Sequence, residues 1–456
     1  MSCGTEHEAV YSTSSTSGEA TVNPCTLCAP LGAALASAGV RDTVPLLHGA
    51  QGCATYIRRY LISHFREPMD VASSSFGESQ TVFGGESNLH RALDNVVRQY
   101  QPRLVTVATT CLAETIGEDV GRLLRSYHEK RDTHLPVVSA STPSFKDGHV
   151  EGFHAMVAAL VEALATQRGP RTRSVNILPP IVSPADLRHL REVAMAYGVT
   201  PTILPDYSET LDGVILDHYC PLPTGGTRIE EIAEMPRALA TLDLTLTGKA
   251  PRASAVLAGR GAPAELLGLP IGVRACDSFC SALAALSGHA MPEWLDKERG
   301  RLLDAYADGH KYVFGRRVAL YGDPELVAGL AGFLAEIGAK PVLCATGARN
   351  RALRDAVADL SAGAVEEVLE DTDFGAIEAA CARLKPELLI GSSKGYRVAR
   401  ALGVPLLRAG FPIHDRLGAG RLLHVGYRGT MQLLDSVVNT LLEAQQSNSA
   451  IGFSYL

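Results

Sequence analysis

Cys28, Cys53 and Cys111 lie beside Gly or Thr in CAPLGAALASAG, HGAQGCATYIRR and TTCLAETIGED, segments that read as strands turning into helices. Such turns deliver side chains to one edge of an α/β unit, so thiols distant in sequence can meet there. Three soft thiolates converging in this way suit an iron–sulfur cluster better than a disulfide or an isolated zinc, because no fourth Cys or His stands at short spacing. Each cysteine alone also reads as a small buried hydrophobe beside a turn supplied by Gly32, Gly49, Gly52 or Gly117. Three at corresponding junctions of one unit favour the cluster. Ser144, in STPSF at a strand end, could offer a hydroxyl or alkoxide to an oxidised iron, although a turn serine has the same setting.

The other candidates carry weaker signals. Cys25 and Cys28 form a C-x-x-C pair with no second pair at ligand spacing, which ranks zinc low. Cys276 and Cys280 fall on one face of a helix and are expected in a core; Cys220, Cys344 and Cys381 read as core or strand residues. His48, before Gly49, is either a hydrogen-bond donor behind the cysteines or a turn-stabilising side chain. Ser73 to Ser75, Glu78 and Gly84-Gly85-Glu86 are expected in a loop at the same edge. Thr224-Gly225-Gly226-Thr227 is a Gly-rich helix entry able to bind an anion. No G-x-x-x-x-G-K-[ST] motif occurs, so nucleotide hydrolysis would belong to a partner.

These residues need several layers to position them. The chain has 456 residues, 46% hydrophobic and 20% charged, enough for roughly three domains of ordinary size. Its net charge of -7, with no concentrated Lys/Arg segment, excludes a general nucleic-acid binder. No basic-apolar leader and no apolar run of membrane-spanning length occur, so a cytoplasmic location is expected. Ser/Thr-rich residues 1–22 read as a flexible arm. Residues 23–168 alternate apolar runs (DTVPLLHG, RLVTVATTC, LPVVSAS) with amphipathic stretches and form the α/β domain carrying the cysteines. QRGPRTR, at 167–173, has the composition of a linker. A second α/β domain is expected over 174–312, and a third over 316–456 ends in an amphipathic helix. In the third, RVALY leads into a helix with Asp323 as N-cap and Pro324 at its first position. The expected class is α/β, with three doubly wound Rossmann-like parallel sheets.

CAPLGA, HGAQGC, HFREP, ASSS, VFGGESNL, TTCLAETIGEDV, TPSF, ALYGDPE, GVPLLRAGFP and GYRGT together resemble the β-type subunits of nitrogenase component 1. The resemblance runs from residue 23 to about 445. It implies the nitrogenase component 1 type of fold and places Cys28, Cys53 and Cys111 on the cysteines that hold the β side of an interfacial P-type cluster. That cluster would be of the 8Fe-7S type or a 4Fe-4S variant, and Ser144 falls on the serine that ligates it when oxidised. Also implied are an α-type subunit in an α2β2 heterotetramer, a larger iron–sulfur cofactor in that partner, and a separate homodimeric, ATP-dependent iron protein. Neither nucleic acid nor membrane is an expected partner.

LLRAGFP, GYRGT and HGAQGCATYIRRYLISHFREP are similar to the NifN-like branch, the β-like subunits of the scaffold on which the iron–molybdenum cofactor matures. That resemblance makes a maturation scaffold the leading expectation. The full set of Cys28, Cys53, Cys111 and Ser144 makes a nitrogenase-like reductase, such as a methylthio-alkane reductase cleaving carbon–sulfur bonds, the alternative. A tetrapyrrole reductase subunit is disfavoured by the same motifs.

Overall fold

The computed structural model describes residues 23–218, 220–249 and 252–453. The arm expected over 1–22, with Cys3, lies outside the described residues. Three sheets, all parallel, form the layers. The first contains β1 (Thr43–His48), β2 (Ala72–Ser73), β3 (Leu104–Thr109) and β4 (Val137–Ala140), in the order β2-β1-β3-β4. The second contains β5 (Ser174–Leu178), β6 (Thr200–Ile203), β7 (Thr241–Asp243) and β8 (Ala264–Leu266), in the order β6-β5-β7-β8. The third contains β9 (Arg317–Tyr321), β10 (Lys340–Ala345), β11 (Glu367–Leu369), β12 (Leu388–Gly391) and β13 (Leu406–Arg408), in the order β11-β10-β9-β12-β13. The α/β class read from alternating apolar runs is the class observed.

TVPLLH and LVTVAT are buried at every position, because helices cover both faces of a parallel sheet and leave no polar side. In the first sheet the strand order reverses between β1 and β3. Their carboxyl ends therefore open a crevice where ligands of doubly wound sheets bind. His48 pairs with Thr109 in register, and Ala108 with Ala140, so the loops after β1, β3 and β4 leave from one edge.

The Ala29–Ala38 helix, APLGAALASA, is buried from Ala29 to Ser37. It lies directly on the His149–Leu164 helix. A Cβ on Gly32 would stand 1.7 Å from the His149 carbonyl oxygen, and one on Gly152 1.9 Å from the Ala29 carbonyl oxygen. Gly32 therefore permits a helix crossing rather than the turn expected of it. No helix of the described residues is long and apolar enough to cross a membrane.

Asp323 occupies the N-cap position of the Pro324–Glu336 helix as expected, but its carboxylate caps no backbone amide there. It turns instead to His149, whose Nε2 lies 3.0 Å from Asp323 Oδ1. The Gly225-Gly226 entry also differs from expectation. Arg41 Nε donates to the Gly225 carbonyl (3.2 Å), and the Thr227 amide and hydroxyl go to the Gly39 and Ile203 carbonyls. Its polar groups fasten the second sheet to the first instead of facing an anion.

Candidate metal centre

Cys53 lies in the first turn of the Gln51–Phe65 helix, which follows β1 through Gly49 and Ala50. Cys111 opens the short Cys111–Thr115 helix, with Thr110 between it and β3. The two junctions are stitched together. The Thr110 amide and hydroxyl both donate to the His48 carbonyl, at 3.1 and 3.2 Å. A Cβ on Gly49 would meet the Thr110 hydroxyl at 1.8 Å, so glycine is needed for that approach. The ends of β3 and β4 are joined likewise, by the Thr142 amide on Thr109 Oγ1 (2.9 Å) and the Thr142 hydroxyl on the Thr109 carbonyl (2.6 Å).

Cys28 reaches the same place by another route. Among the described residues no sheet strand precedes it; it is the N-cap residue of the Ala29–Ala38 helix, in extended conformation, and forms an isolated antiparallel bridge with Gly148. The strap before it runs along the third sheet. Cys25 N donates to the Thr372 carbonyl, Phe374 N to the Asn23 carbonyl, and Leu27 N to His149 Nδ1 at 3.2 Å. The strand-to-helix reading thus holds for Cys53 and Cys111 and fails for Cys28, whose position comes from partners far away in sequence.

Ser144 links two of the cysteine segments. Its amide donates to Cys111 Sγ at 3.2 Å, and its Oγ accepts the amide of Ala29, the residue after Cys28, at 3.1 Å. Cys53 faces the other two cysteines. Burial pushes its thiol above the ordinary value, and the Cys28 and Cys111 sulfurs push it further. A cationic iron centre bound there would offset that repulsion. All three cysteines and Ser144 are half-buried. No group of three or more His, Cys, Asp or Glu side chains among the described residues is arranged to hold a single metal ion. Thiols and a hydroxyl are the donor types that iron–sulfur clusters take, and their half-burial leaves them open to groups from outside the chain.

His48 is fully buried behind this edge, with Nδ1 3.1 Å from Ser74 Oγ and Nε2 3.7 Å from Glu118. Burial lowers its pKa, and Glu118 works against that shift. Ser74 also accepts the Gly49 amide (2.9 Å), so this serine supports the turn from within. Cys25 is buried and its thiol is pushed up to about 12, chiefly by burial, which removes it as a ready thiolate ligand. Cys276, Cys280, Cys344 and Cys381 are buried as expected, whereas Cys220 is exposed rather than in a core or strand. Two residues of the edge gave no sequence signal. His149 receives the Leu27 amide, and Lys394 donates to the Pro24 and Thr26 carbonyls at 2.6 and 3.2 Å.

The family profile of nitrogenase component 1 type oxidoreductases matches residues 28–442. The nitrogenase molybdenum-iron protein beta chain of Methanothermobacter thermautotrophicus is 37% identical, over 93% of this chain and 95% of its own. The nitrogenase iron-molybdenum cofactor biosynthesis protein NifN of Rhodobacter capsulatus is 35% identical, over 92% of this chain and 91% of its own. Among solved structures, a chain of nitrogenase Cp1 at pH 6.5 superimposes with a TM-score of 0.92 at 33% identity, covering 96% of this chain and 97% of that one. Profile, relatives and fold agree over nearly the whole length: the chain belongs to the nitrogenase component 1 type oxidoreductases, in the β-type family.

Proposed function

We propose that the chain is the β-type subunit of a nitrogenase-like α2β2 complex and that Cys28, Cys53 and Cys111, with Ser144, form its half of the shell around an interfacial P-type iron–sulfur cluster. Electrons would arrive from an ATP-dependent iron protein and leave toward a metallocofactor in the α-type subunit. The observation that carries the proposal is Ser144, hydrogen-bonded to the Cys111 sulfur and to the helix start beside Cys28. When bound, the cluster supplies electron storage and transfer. The chain's own residues set the conditions. The Ser144 amide withdraws charge from Cys111 Sγ, and the Ala29 amide, at a helix N-terminus, favours negative charge on Ser144 Oγ and so eases loss of its proton. Val82, Phe83 and Phe145 are 75%, 87% and 56% exposed. Phe145 adjoins Ser144, and such apolar side chains are what an α-type partner would cover, keeping water from the thiols.

Two destinations for the electrons stand in view. The complete set of three thiols and a serine supports turnover in a nitrogenase-like reductase, such as one cleaving carbon–sulfur bonds. The motifs GVPLLRAGFP and GYRGT support a scaffold for cofactor maturation, while identities of 37% to a nitrogenase beta chain and 35% to a NifN favour neither. The test is anaerobic co-purification with the α-type subunit, iron quantitation, and turnover with the cognate iron protein and ATP. Cys53→Ala and Cys111→Ala should lose most of the cluster iron and iron-protein-dependent reduction, while Cys344→Ala keeps both. Equal iron in all three variants sinks the ligand assignment. Sustained reduction of methylthio compounds or dinitrogen marks a reductase; transfer of a cofactor to apo-nitrogenase without turnover marks a scaffold.

A further inference from the structure

Lys394 belongs to the third sheet, in the short turn after β12, yet its ammonium serves the cysteine edge of the first. Nζ donates to the Pro24 carbonyl at 2.6 Å and to the Thr26 carbonyl at 3.2 Å, four and two residues before Cys28. It stands 5.9 Å from the Phe374 ring centroid. The turn that presents it is itself fixed. The Tyr321 hydroxyl donates to the Ser392 carbonyl at 2.6 Å, and a Cβ on Gly395 would strike that hydroxyl at 2.1 Å. The side chain is half-buried, and burial lowers its pKa while Cys25 and Cys28 raise it. Both acceptor carbonyls belong to the segment that ends in Cys28, so the ammonium stands beside the approach to that cysteine.

We infer that Lys394 is a positioning residue for the metal centre, with two effects: it clamps the strap that ends in Cys28, and its fixed positive charge favours the more reduced, more negative state of the bound cluster. The inference rests on the ligand reading above and adds a residue that no cysteine motif contains. A fixed charge bonded to the carbonyl two residues before a ligand, in partly desolvated surroundings, is enough to move a one-electron equilibrium by about tenfold, ~59 mV.

The experiment compares Lys394→Met, which keeps the stem and removes the charge, with Lys394→Arg, which keeps the charge, in the anaerobically purified heteromer. Potentiometric titration followed by EPR gives the cluster midpoint, and hydrogen exchange gives the protection of the Cys25 and Leu27 amides. The expected result is full iron in Lys394→Met, a roughly tenfold shift toward the oxidised form at the wild-type midpoint, and roughly tenfold faster exchange of the two amides. Lys394→Arg should restore the midpoint to within about twofold in that ratio. An unchanged midpoint in an iron-replete Lys394→Met complex overturns the inference, as does an arginine variant that behaves like methionine. Should Lys394→Met lose iron, recovery in Lys394→Arg supports the clamp and loss in both variants overturns it. A wild-type heteromer without cluster iron refutes the ligand reading instead, and the exchange measurement still decides the clamp.

Discussion

His64 lies wholly inside the protein, with Phe65 and Phe411 against its ring and the Ile413 amide donating to Nδ1 at 2.8 Å. Burial, the first cause, drives its pKa down to about 3, with His414 and Arg66 adding repulsion and the Ile413 hydrogen bond opposing. His48, His154 and His414 are lowered too, each chiefly by burial. A histidine held below its unfolded value binds its proton more readily when the chain unfolds. Its stabilising share is therefore present above the unfolded pKa near 6.5 and is lost as pH falls below it toward the folded value. The urea midpoint should drop between pH 7.5 and 5.5, with His64 alone contributing on the order of 1 kcal/mol. Equal midpoints at the two pH values would remove the buried-histidine account.

Among the elements, the crossing of the Ala29–Ala38 and His149–Leu164 helices governs the metal centre more than any strand does. Gly152→Ala would push a methyl into the Ala29 carbonyl and part the helices whose N-termini carry Cys28 and His149. A loss of roughly 3 kcal/mol in unfolding free energy is expected, from overpacking against rigid backbone. Iron content of the heteromer should fall with it, whereas Gly259→Ala, in open space on the Ala253–Arg260 helix, should leave iron unchanged and stability no lower. Sequence reasoning reached the elements that local pattern dictates: strands such as RLVTVAT, the junctions of Cys53 and Cys111, and the buried pair Cys276 and Cys280. It could not reach the strap before Cys28, which has no strand period and is held by residues near 149, 372 and 394. Asp323 takes the N-cap position that local pattern gives it, but its carboxylate turns to His149, 174 positions away and beyond the reach of local pattern. Cys220 misled because an apolar neighbourhood in sequence became an exposed loop.

For the molecule as a whole, large apolar side chains stand exposed at several places. Val82 and Phe83 project from the Glu78–Phe83 helix, none of whose residues is buried. Phe83→Asp should leave the thermal unfolding of the isolated chain within about 0.5 kcal/mol of wild type, as surface substitutions do. It should also weaken heteromer formation at least tenfold, read by light scattering with the α-type subunit. Unimpaired assembly would place the partner elsewhere.

The strap from Asn23 to Cys28 also imposes an order in time. A ribosome makes these residues long before it reaches Thr372, Phe374 and Lys394. Until then the amide of Cys25 and the carbonyls of Pro24 and Thr26 have none of the partners that fix them. Cys53 and Cys111 can take their places once the first sheet has closed. Under the proposed assignment Cys28, first of the three ligands in sequence, is thus the last to be set, and a metal centre that requires it waits until synthesis has passed Lys394. Synthesis through the third sheet would then be a condition for loading iron, set by the path of six residues.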